Sequence, residues 1–218
     1  MIKIDQIISW IPALLDGARV TILLTLVSVV TGIFMSIFLA LGKMSKITVI
    51  RKLCEAYVFF FRGTPLLMQL YFIWFGLPMI SPVFTIQSQF FAAWLAFSLN
   101  SAAYCTEIIR AALESIPKGQ YEAAKALGLS YGQTMRLIII PQSIRQLIPP
   151  IGNEFIMVLK DASIVSIIAL SDLTKVTRSI QSSTSSSMVY IPAMIIYLII
   201  TAIFTYIFKR LEIRHSRY

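Results

Sequence analysis

Of the 218 residues, 57% are hydrophobic and 13% are charged, and the mean hydropathy is +0.80. Soluble domains have roughly 45–50% apolar and about 25% charged residues, so the composition excludes a soluble globule and a disordered chain and indicates an integral membrane protein. In such a protein, basic connections facing the cytoplasm explain the net charge of +9 better than binding to nucleic acid does.

Five membrane-spanning helices are predicted, at about residues 18–42, 53–77, 87–112, 138–159 and 188–208. The first is the clearest, because no charged residue occurs between residues 20 and 42 and this length is sufficient to cross a bilayer. Prolines and a glycine around Pro78 are expected to end the second helix, and Pro149-Pro150 to interrupt the fourth. The serine-rich tract 182–187 is predicted to be a flexible external loop.

The distribution of basic residues predicts the orientation. They are concentrated in the first connection (Lys43, Lys46, Arg51, Lys52), the third (Lys118, Lys125, Arg136) and the C-terminus (Lys209, Arg210, Arg214, Arg217). The second connection, residues 78–86, carries no charge. Because cytoplasmic connections hold the excess of Lys and Arg, the N-terminus is predicted to lie outside and the C-terminus in the cytoplasm. The chain is therefore divided into an external segment (1–16), a membrane domain (17–210) and a cytoplasmic tail (211–218).

The third connection is about 25 residues long and contains a predicted short helix, at about residues 118–128. Pro117 stops the incoming helix, the residues after Gln120 are good helix formers, and Gly128 suits a left-handed C-terminal cap. Small alanines keep the helix slim and Glu122 offers one charge, so it could enter the groove of a partner. An ordinary helix lying on the membrane surface is the alternative.

Four segments in order resemble one family. Glu122-Ala123-Ala124, with Gly128, Ile138 and Ile140-Pro141 at the right spacing, resembles the EAA motif of ABC importer permeases, although Ile140 stands where leucine is usual. The segments 61–69, 100–110 and 152–163 resemble the polar amino acid branch of that family. The resemblance spans about residues 17–210.

The resemblance implies an all-α type I importer fold and a division of labour among subunits in a bacterial cytoplasmic membrane. It implies an ATPase subunit dimer, a second permease copy (identical or related) and an extracytoplasmic amino acid-binding protein. The residues expected to couple to the ATPase are Gly119, Tyr121, Glu122, Ala123, Ala124 and Gly128. The chain lacks the glycine-rich loop that holds nucleotide phosphates, so it is not expected to be an enzyme or to bind a cofactor itself. Cys54 and Cys105 fit neither a disulfide framework nor a zinc pattern, and no metal is expected.

Polar residues at one depth suggest a substrate site. Arg62 and Asn100 each lie about 15 Å from the inner membrane edge, close to the midplane. Gly63-Thr64-Pro65 is expected to break the second helix there, with Thr64 as a cap and Pro65 as the first residue of a new segment. The exposed N–H groups at such a break suit a substrate carboxylate.

The predicted substrate-binding residues are Arg62, Thr64, Gln69, Asn100, Glu154 and Asp161. Structural alternatives remain: Arg62 could pair with a buried carboxylate or with backbone carbonyls, Asn100 could join two helices, and Asp161 could pair with its neighbour Lys160 or lie in water. Glu107 is expected to pair with Arg110. Glu154 is left over for a second positive group, which favours arginine, lysine or histidine, with glutamine or cystine next. The alternatives in function are an autonomous channel, an ion-coupled carrier and a non-transporting scaffold.

Overall fold

The computed structural model describes residues 4–216, and no strand occurs among them. Residues 1–3 of the predicted external segment and residues 217–218 of the predicted tail lie outside this described part. The α-helices are α1 Ile4–Lys43, α2 Thr48–Gly63, α3 Leu66–Tyr71, α4 Leu77–Ile80, α5 Gln89–Glu114, α6 Lys118–Ala126, α7 Tyr131–Thr134, α8 Ile140–Asp161, α9 Leu173–Thr184 and α10 Tyr190–Ser216. Short π-helical (72–76, 135–139) and 3₁₀-helical (82–84, 162–168, 187–189) segments join several of them.

The first helix is much longer than predicted. It begins at Ile4 rather than near residue 18, so residues 4–16 are helical. The charged residues Asp5, Asp16 and Arg19 limit the uncharged stretch that suits a membrane, but charged residues do not stop a helix. Asp16 forms an ion pair with Arg19, one turn further along α1, at 3.1 Å. At 1.5 Å per residue the 40 residues extend about 60 Å, well beyond a hydrocarbon core of about 30 Å.

Helix α1 packs along α5 more extensively than any other two helices do in the described chain. The contact is made by small residues: a Cβ added to Gly32 would lie 2.9 Å from the Cβ of Ser101. Thr21 and Thr25 of α1 are completely buried, and the Thr25 hydroxyl donates to the Thr21 carbonyl oxygen at 2.8 Å. Small side chains that satisfy their own polar groups allow two helix backbones to approach closely, as membrane helices do.

The predicted break in the second span is confirmed. Helix α2 ends at Gly63, α3 begins at Leu66, and the two segments meet at an angle of 102°. The details differ, because Pro65 precedes the first helical residue and Thr64 ends α2 instead of capping α3. The Thr64 hydroxyl donates to the Phe60 carbonyl oxygen at 2.8 Å.

The end of this span also differs from the prediction. The chain continues through the π-helical segment 72–76 into α4, which holds Pro78 and ends at Ile80. Pro78 lies in the first turn of α4, and its fixed φ is compatible with a helix.

The predicted interruption of the fourth helix is wrong. Helix α8 continues from Ile140 to Asp161 with Pro149 and Pro150 inside it. The prolines remove the N–H groups that would bond to the carbonyls of Arg145 and Gln146, but the fixed φ of proline is itself helical. Membrane helices accommodate such positions when neighbouring groups satisfy the freed carbonyls.

The predicted loop at 182–187 is only partly a loop. Helix α9 includes residues 182–184 and ends at Thr184, and the next residue, Ser185, adopts a left-handed conformation with φ of 50°. Asp172 starts this helix by accepting hydrogen bonds from the N–H groups of Thr174 and Lys175, both at 2.9 Å. Serine is a neutral helix residue, and here the N-terminal cap and its hydrophobic packing decide the structure.

Large apolar side chains on α1 and α10 point outward. Phe34, Phe38, Leu198 and Ile199 are each more than half exposed. Among the described residues, the helices Asp5–Lys43 and Ser187–Arg214 are long and apolar enough to cross a membrane, and the bent segment from Thr48 to Ile80 is a third if it counts as one span. Such a surface needs lipid or another apolar partner.

Candidate functional site

A partly open cavity of about 360 Å³ lies beside the bend between α2 and α3 and is also bordered by α5 and α8. It is lined by Arg62, Gly63, Thr64, Pro65, Leu66, Asn100, Tyr104, Glu154, Met157, Val158 and Asp161. Five of the six predicted substrate residues are thus brought together, and the sixth, Gln69, lies behind the wall. We call this space the bend cavity.

Helical spacing explains why these residues meet. On α8, Glu154, Val158 and Asp161 are separated by four and three residues and therefore share one face. On α5, Asn100 and Tyr104 are one turn apart and face the same space. The helix break completes the site, because it turns residues 63–66 across the gap between the two longer helices.

The bend cavity holds three ionisable side chains that have no ion-pair partner. The four ion pairs found among residues 4–216 do not include Arg62, Glu154 or Asp161. The predicted alternatives, a pairing of Arg62 with a buried carboxylate and of Asp161 with Lys160, are therefore not seen. The Arg62 guanidinium instead lies over the Tyr104 ring, with Cζ 5.3 Å from its centroid.

Gln69 is a structural residue of the bend. It is 6% exposed, and its side-chain amide donates to the Phe61 carbonyl oxygen at 2.9 Å and to the Thr64 carbonyl and hydroxyl oxygens at 3.0 and 2.9 Å. Because Pro65 has no N–H, the Phe61 carbonyl has lost its normal helical donor. Gln69 supplies the missing hydrogen bond, so its predicted contact with substrate has no support in this geometry.

Asn100 joins two helices, and its predicted contact with substrate stays a prediction. Its side-chain amide donates to the Phe61 carbonyl oxygen and to the Gln69 Oε1, each at 3.0 Å, and so ties α5 to the bend. The same residue lines the bend cavity. It therefore both fixes the shape of the site and borders it.

Glu107 is structural, as predicted, and its partnership is wider than predicted. Its carboxylate accepts hydrogen bonds from Lys43 of α1 and from Arg110, whose Nη2 lies 2.8 Å away. Arg110 also pairs with Glu114. The opposite charges of this half-buried network therefore compensate one another and join α1 to α5.

The predicted coupling helix corresponds to α6. Gly128 adopts the expected left-handed conformation, with φ of 78°, and its N–H bonds to the Lys125 carbonyl oxygen at 3.0 Å. The Leu129 N–H reaches the Ala124 carbonyl oxygen at 3.1 Å, which completes a Schellman cap.

The residues of α6 divide into two faces. Gly119, Glu122 and Ala123 are exposed, Tyr121 is half-buried, and Ala124 is 1% exposed. Ala124 therefore packs against this chain and is not available to a partner, unlike its exposed neighbours. Which of the exposed residues bind an ATPase stays a prediction.

Sequence reasoning missed Tyr104, Met157 and Val158 as cavity residues. Helical spacing could have found them, since Tyr104 is one turn from Asn100 and Met157 and Val158 are one turn from Glu154.

For metals, residues 4–216 contain no group of three or more His, Cys, Asp or Glu side chains placed to hold an ion, and both cysteines are free thiols.

Comparison with known proteins assigns the family. Residues 29–217 match the profile of the binding-protein-dependent transport system inner membrane component. The arginine transport system permease protein ArtQ of Bacillus subtilis (strain 168) is 40% identical over 205 residues, 93% of this chain and 92% of that protein. The L-cystine transport system permease protein TcyB of the same organism is 38% identical over 213 residues, 96% of this chain and 89% of that protein. A crystal structure of an amino acid ABC transporter with histidines superposes with a TM-score of 0.92 at 38% identity, covering 98% of this chain and 99% of that one. The chain therefore belongs to the binding-protein-dependent transport system inner membrane components and is a permease subunit of the amino-acid ABC transporter type.

Proposed function

We propose that this subunit carries a cationic amino acid across the bacterial cytoplasmic membrane by alternating access. It crosses the membrane five times, with the N-terminus outside and the C-terminus in the cytoplasm, and pairs with a second permease copy. ATP is bound and hydrolysed by a separate ATPase dimer, and an extracytoplasmic binding protein delivers the amino acid. The observation that supports this proposal is the bend cavity, in which three unpaired ionisable groups surround a space of about 360 Å³.

The arrangement of charges fits an amino acid. The Arg62 guanidinium, at the end of α2, suits the planar α-carboxylate of the substrate, and the start of α3 lies beside it. Asp161 suits the α-amino group on the opposite side of the cavity. Glu154 is 5% exposed and lies about two turns from Asp161 along α8, where it would meet the far end of a long side chain.

Charge balance favours a cationic substrate. With all groups ionised, Glu154 and Asp161 together exceed Arg62 by one negative charge. An amino acid with a positive side chain carries one net positive charge and neutralises the site, whereas a zwitterion such as glutamine or cystine leaves the excess in place. The similarity to the arginine permease ArtQ agrees with this order, while the similarity to the cystine permease TcyB keeps cystine as the competing substrate.

Uptake by the complete transporter tests this proposal. The permease, ATPase and binding protein are reconstituted together, and uptake of arginine, lysine, histidine, glutamine and cystine is compared. In Glu154→Gln we expect uptake of the best cationic substrate to fall on the order of 100-fold, because removing one partner of a desolvated charge pair costs about 2–5 kcal/mol. Lys160→Gln is the matched control, because Lys160 lies on the same helix but is exposed and outside the cavity lining.

The outcomes separate the candidate substrates. A preference for cystine or glutamine in the unaltered protein would contradict the cationic assignment while leaving the transport role intact. Equal loss of uptake in Glu154→Gln and Lys160→Gln would show that charge removal from α8 acts on assembly and not on recognition.

Coupling to the ATPase is proposed to occur through the exposed face of α6. Closure of the ATPase dimer on ATP would draw the two α6 helices together and open the bend cavity outward, and nucleotide release would reverse the movement. We expect Glu122→Arg to abolish co-purification of the ATPase without unfolding the chain, since Glu122 is exposed. The control is Arg178→Glu, an exposed charge reversal on α9, which should leave co-purification unchanged. Retention of the ATPase by Glu122→Arg would contradict this role for Glu122.

A further inference from the structure

A second cavity, of about 400 Å³, adjoins the bend cavity. It is lined by Arg62, Tyr104, Glu107, Ile108, Ala111, Ala112, Ser115, Gln146 and Pro150. Only Arg62 and Tyr104 line both spaces. The two cavities are therefore neighbours that share one wall, and that wall consists of one side chain from α2 and one from α5.

The two spaces lie in series along α5. Asn100 lines the bend cavity, Tyr104 lines both, and Ile108 and Ala111 line the second cavity at successive turns of one face. Helix α5 ends at Glu114 and α6 begins four residues later, so the second cavity is at the α6 end of this row.

Along α8 the two cavities follow one another in the reverse order, the second cavity first and the bend cavity after it. Gln146 and Pro150 line the second cavity, and Glu154 and Val158 line the bend cavity, again at intervals of one turn. The seam between α5 and α8 is therefore lined by one continuous face of each helix, and the Arg62–Tyr104 contact crosses it partway along.

The Arg62–Tyr104 contact is built so that it can open. The guanidinium carbon lies 5.3 Å from the ring centroid, and Arg62 has no ion pair among residues 4–216. Arg62 also occupies the last turn of α2, immediately before the bend. A stacking contact of this kind is weaker than a buried ion pair, and it joins two helices that can separate.

The charges on the two sides of the wall differ. The bend cavity has one excess negative charge when its three groups are ionised. In the second cavity the only lining carboxylate, Glu107, is paired with Lys43 and Arg110. A cation that enters the second cavity therefore meets no unpaired carboxylate there, which favours its release and not its retention.

From this geometry we infer that Tyr104 and Arg62 form the inner gate of the transport path, and that the second cavity is the vestibule through which the amino acid leaves toward the α6 side. This inference rests on the proposed transport function and adds to it a gating residue, Tyr104, and an exit chamber. Tyr104 acts as a gate because its ring supports the guanidinium that separates the two spaces.

Accessibility of single cysteines to a thiol reagent tests the gate without requiring transport. The native thiols are removed as Cys54→Ser and Cys105→Ala. Val158→Cys then reports on the bend cavity, because Val158 lines it and is only 5% exposed, and Ala111→Cys reports on the second cavity. Inside-out vesicles containing the nucleotide-free transporter are treated with a membrane-impermeant, positively charged methanethiosulfonate, and the rate of modification is measured.

Removing the ring should open the bend cavity to the reagent. In Tyr104→Ala we expect the modification rate of Val158→Cys to rise about tenfold, equivalent to the loss of a closing contact of about 1.4 kcal/mol. Tyr104→Phe should behave like the unaltered protein, because phenylalanine also stacks under a guanidinium and the tyrosine hydroxyl has no hydrogen-bond partner among the described residues. The rate at Ala111→Cys should not change in either variant.

Several results would overturn the gate. An unchanged rate at Val158→Cys in Tyr104→Ala would mean that the wall does not limit access, and an equal rise in Tyr104→Phe would mean that the ring is not the barrier. A parallel rise at Ala111→Cys would mean that the whole face has opened. If Tyr104→Ala fails to assemble with the ATPase, Tyr104→Leu replaces it with the same expectations. Because labelling does not involve uptake, the labelling results can contradict the gate while the uptake assays support the transport function. Equally, the uptake assays can contradict the transport function while labelling supports the gate.

Discussion

Replacing Gln69 with leucine would test whether the bend depends on one buried amide. Gln69 donates to the carbonyl oxygens of Phe61 and Thr64 and to the Thr64 hydroxyl, and it accepts a hydrogen bond from Asn100. Leucine has a similar volume and no hydrogen-bonding group. We therefore expect Gln69→Leu to weaken the folded structure at the bend while leaving the lining of the bend cavity chemically unchanged.

The expected loss of stability is about 2 kcal/mol. Hydrogen bonds between membrane helices contribute about 0.6 kcal/mol on average, and a buried polar group left without a partner costs about 1–3 kcal/mol. The Phe61 carbonyl keeps the Asn100 amide at 3.0 Å, so the main loss falls on the Thr64 carbonyl and on the second N–H of Asn100. The effect should therefore be clear but smaller than that of four independent hydrogen bonds.

The assay is unfolding of the purified transporter in mixed detergent micelles, combined with a double-mutant cycle. Gln69→Leu and Asn100→Leu each leave the Phe61 carbonyl one donor, and only the double variant removes both. The combined loss should therefore exceed the sum of the single losses by about 1 kcal/mol, since an unpaired buried carbonyl costs about 1–3 kcal/mol and the hydrogen bond that the two residues share offsets only about 0.6 kcal/mol. Met68→Leu, an exposed position one residue away, is the control and should change little. If Gln69→Leu leaves stability unchanged but raises the KM for uptake, Gln69 contacts substrate and our structural interpretation is wrong.

Two pairs of glycine substitutions extend these tests, each measured as a shift in the thermal unfolding of the purified protein. Gly128→Ala should destabilise the end of α6 by about 1 kcal/mol, because φ at this position is 78°. Its control is Gly119→Ala, which should be neutral or slightly stabilising, because residue 119 is helical and a Cβ there meets no atom within 4 Å. Equal effects of the two substitutions would rule out the left-handed cap. Gly32→Ala should cost about 1–3 kcal/mol because its Cβ would lie 2.9 Å from the Ser101 Cβ, whereas Gly63→Ala has open space and should not change stability by clashing. A stable Gly32→Ala would mean that α1 and α5 can separate without loss.

Local signals made the central site predictable. Gly63-Thr64-Pro65 breaks a helix by its own chemistry, because proline removes a donor and restricts the residue before it. The coupling helix was predictable for the same reason, since Pro117 and Gly128 mark its two ends. Counting residues at 1.5 Å each then placed Arg62 and Asn100 at one depth, and the structure brings both to one cavity.

Other features depended on packing that the sequence does not display. The same proline rule that found the bend wrongly predicted a break at Pro149-Pro150, where the helix continues. The difference is that α8 packs against both α5 and α10, and this packing keeps the chain helical through the two prolines. The role of Gln69 was also invisible, because a donor for a carbonyl eight residues earlier has no sequence signature.

The unequal packing of α5 on its two sides has a mechanical consequence. Against α1, α5 is tightly interlocked through small residues, and Lys43 fastens the two helices together at Glu107. Against α8, the same helix borders two voids. Close-packed seams are stiff and transmit displacement, whereas a seam that contains empty volume is compliant. A force applied at α6 would therefore displace α1 and α5 together as one rigid unit, which is about 39 Å long when measured along α5. The resulting strain would be absorbed at the α5–α8 seam.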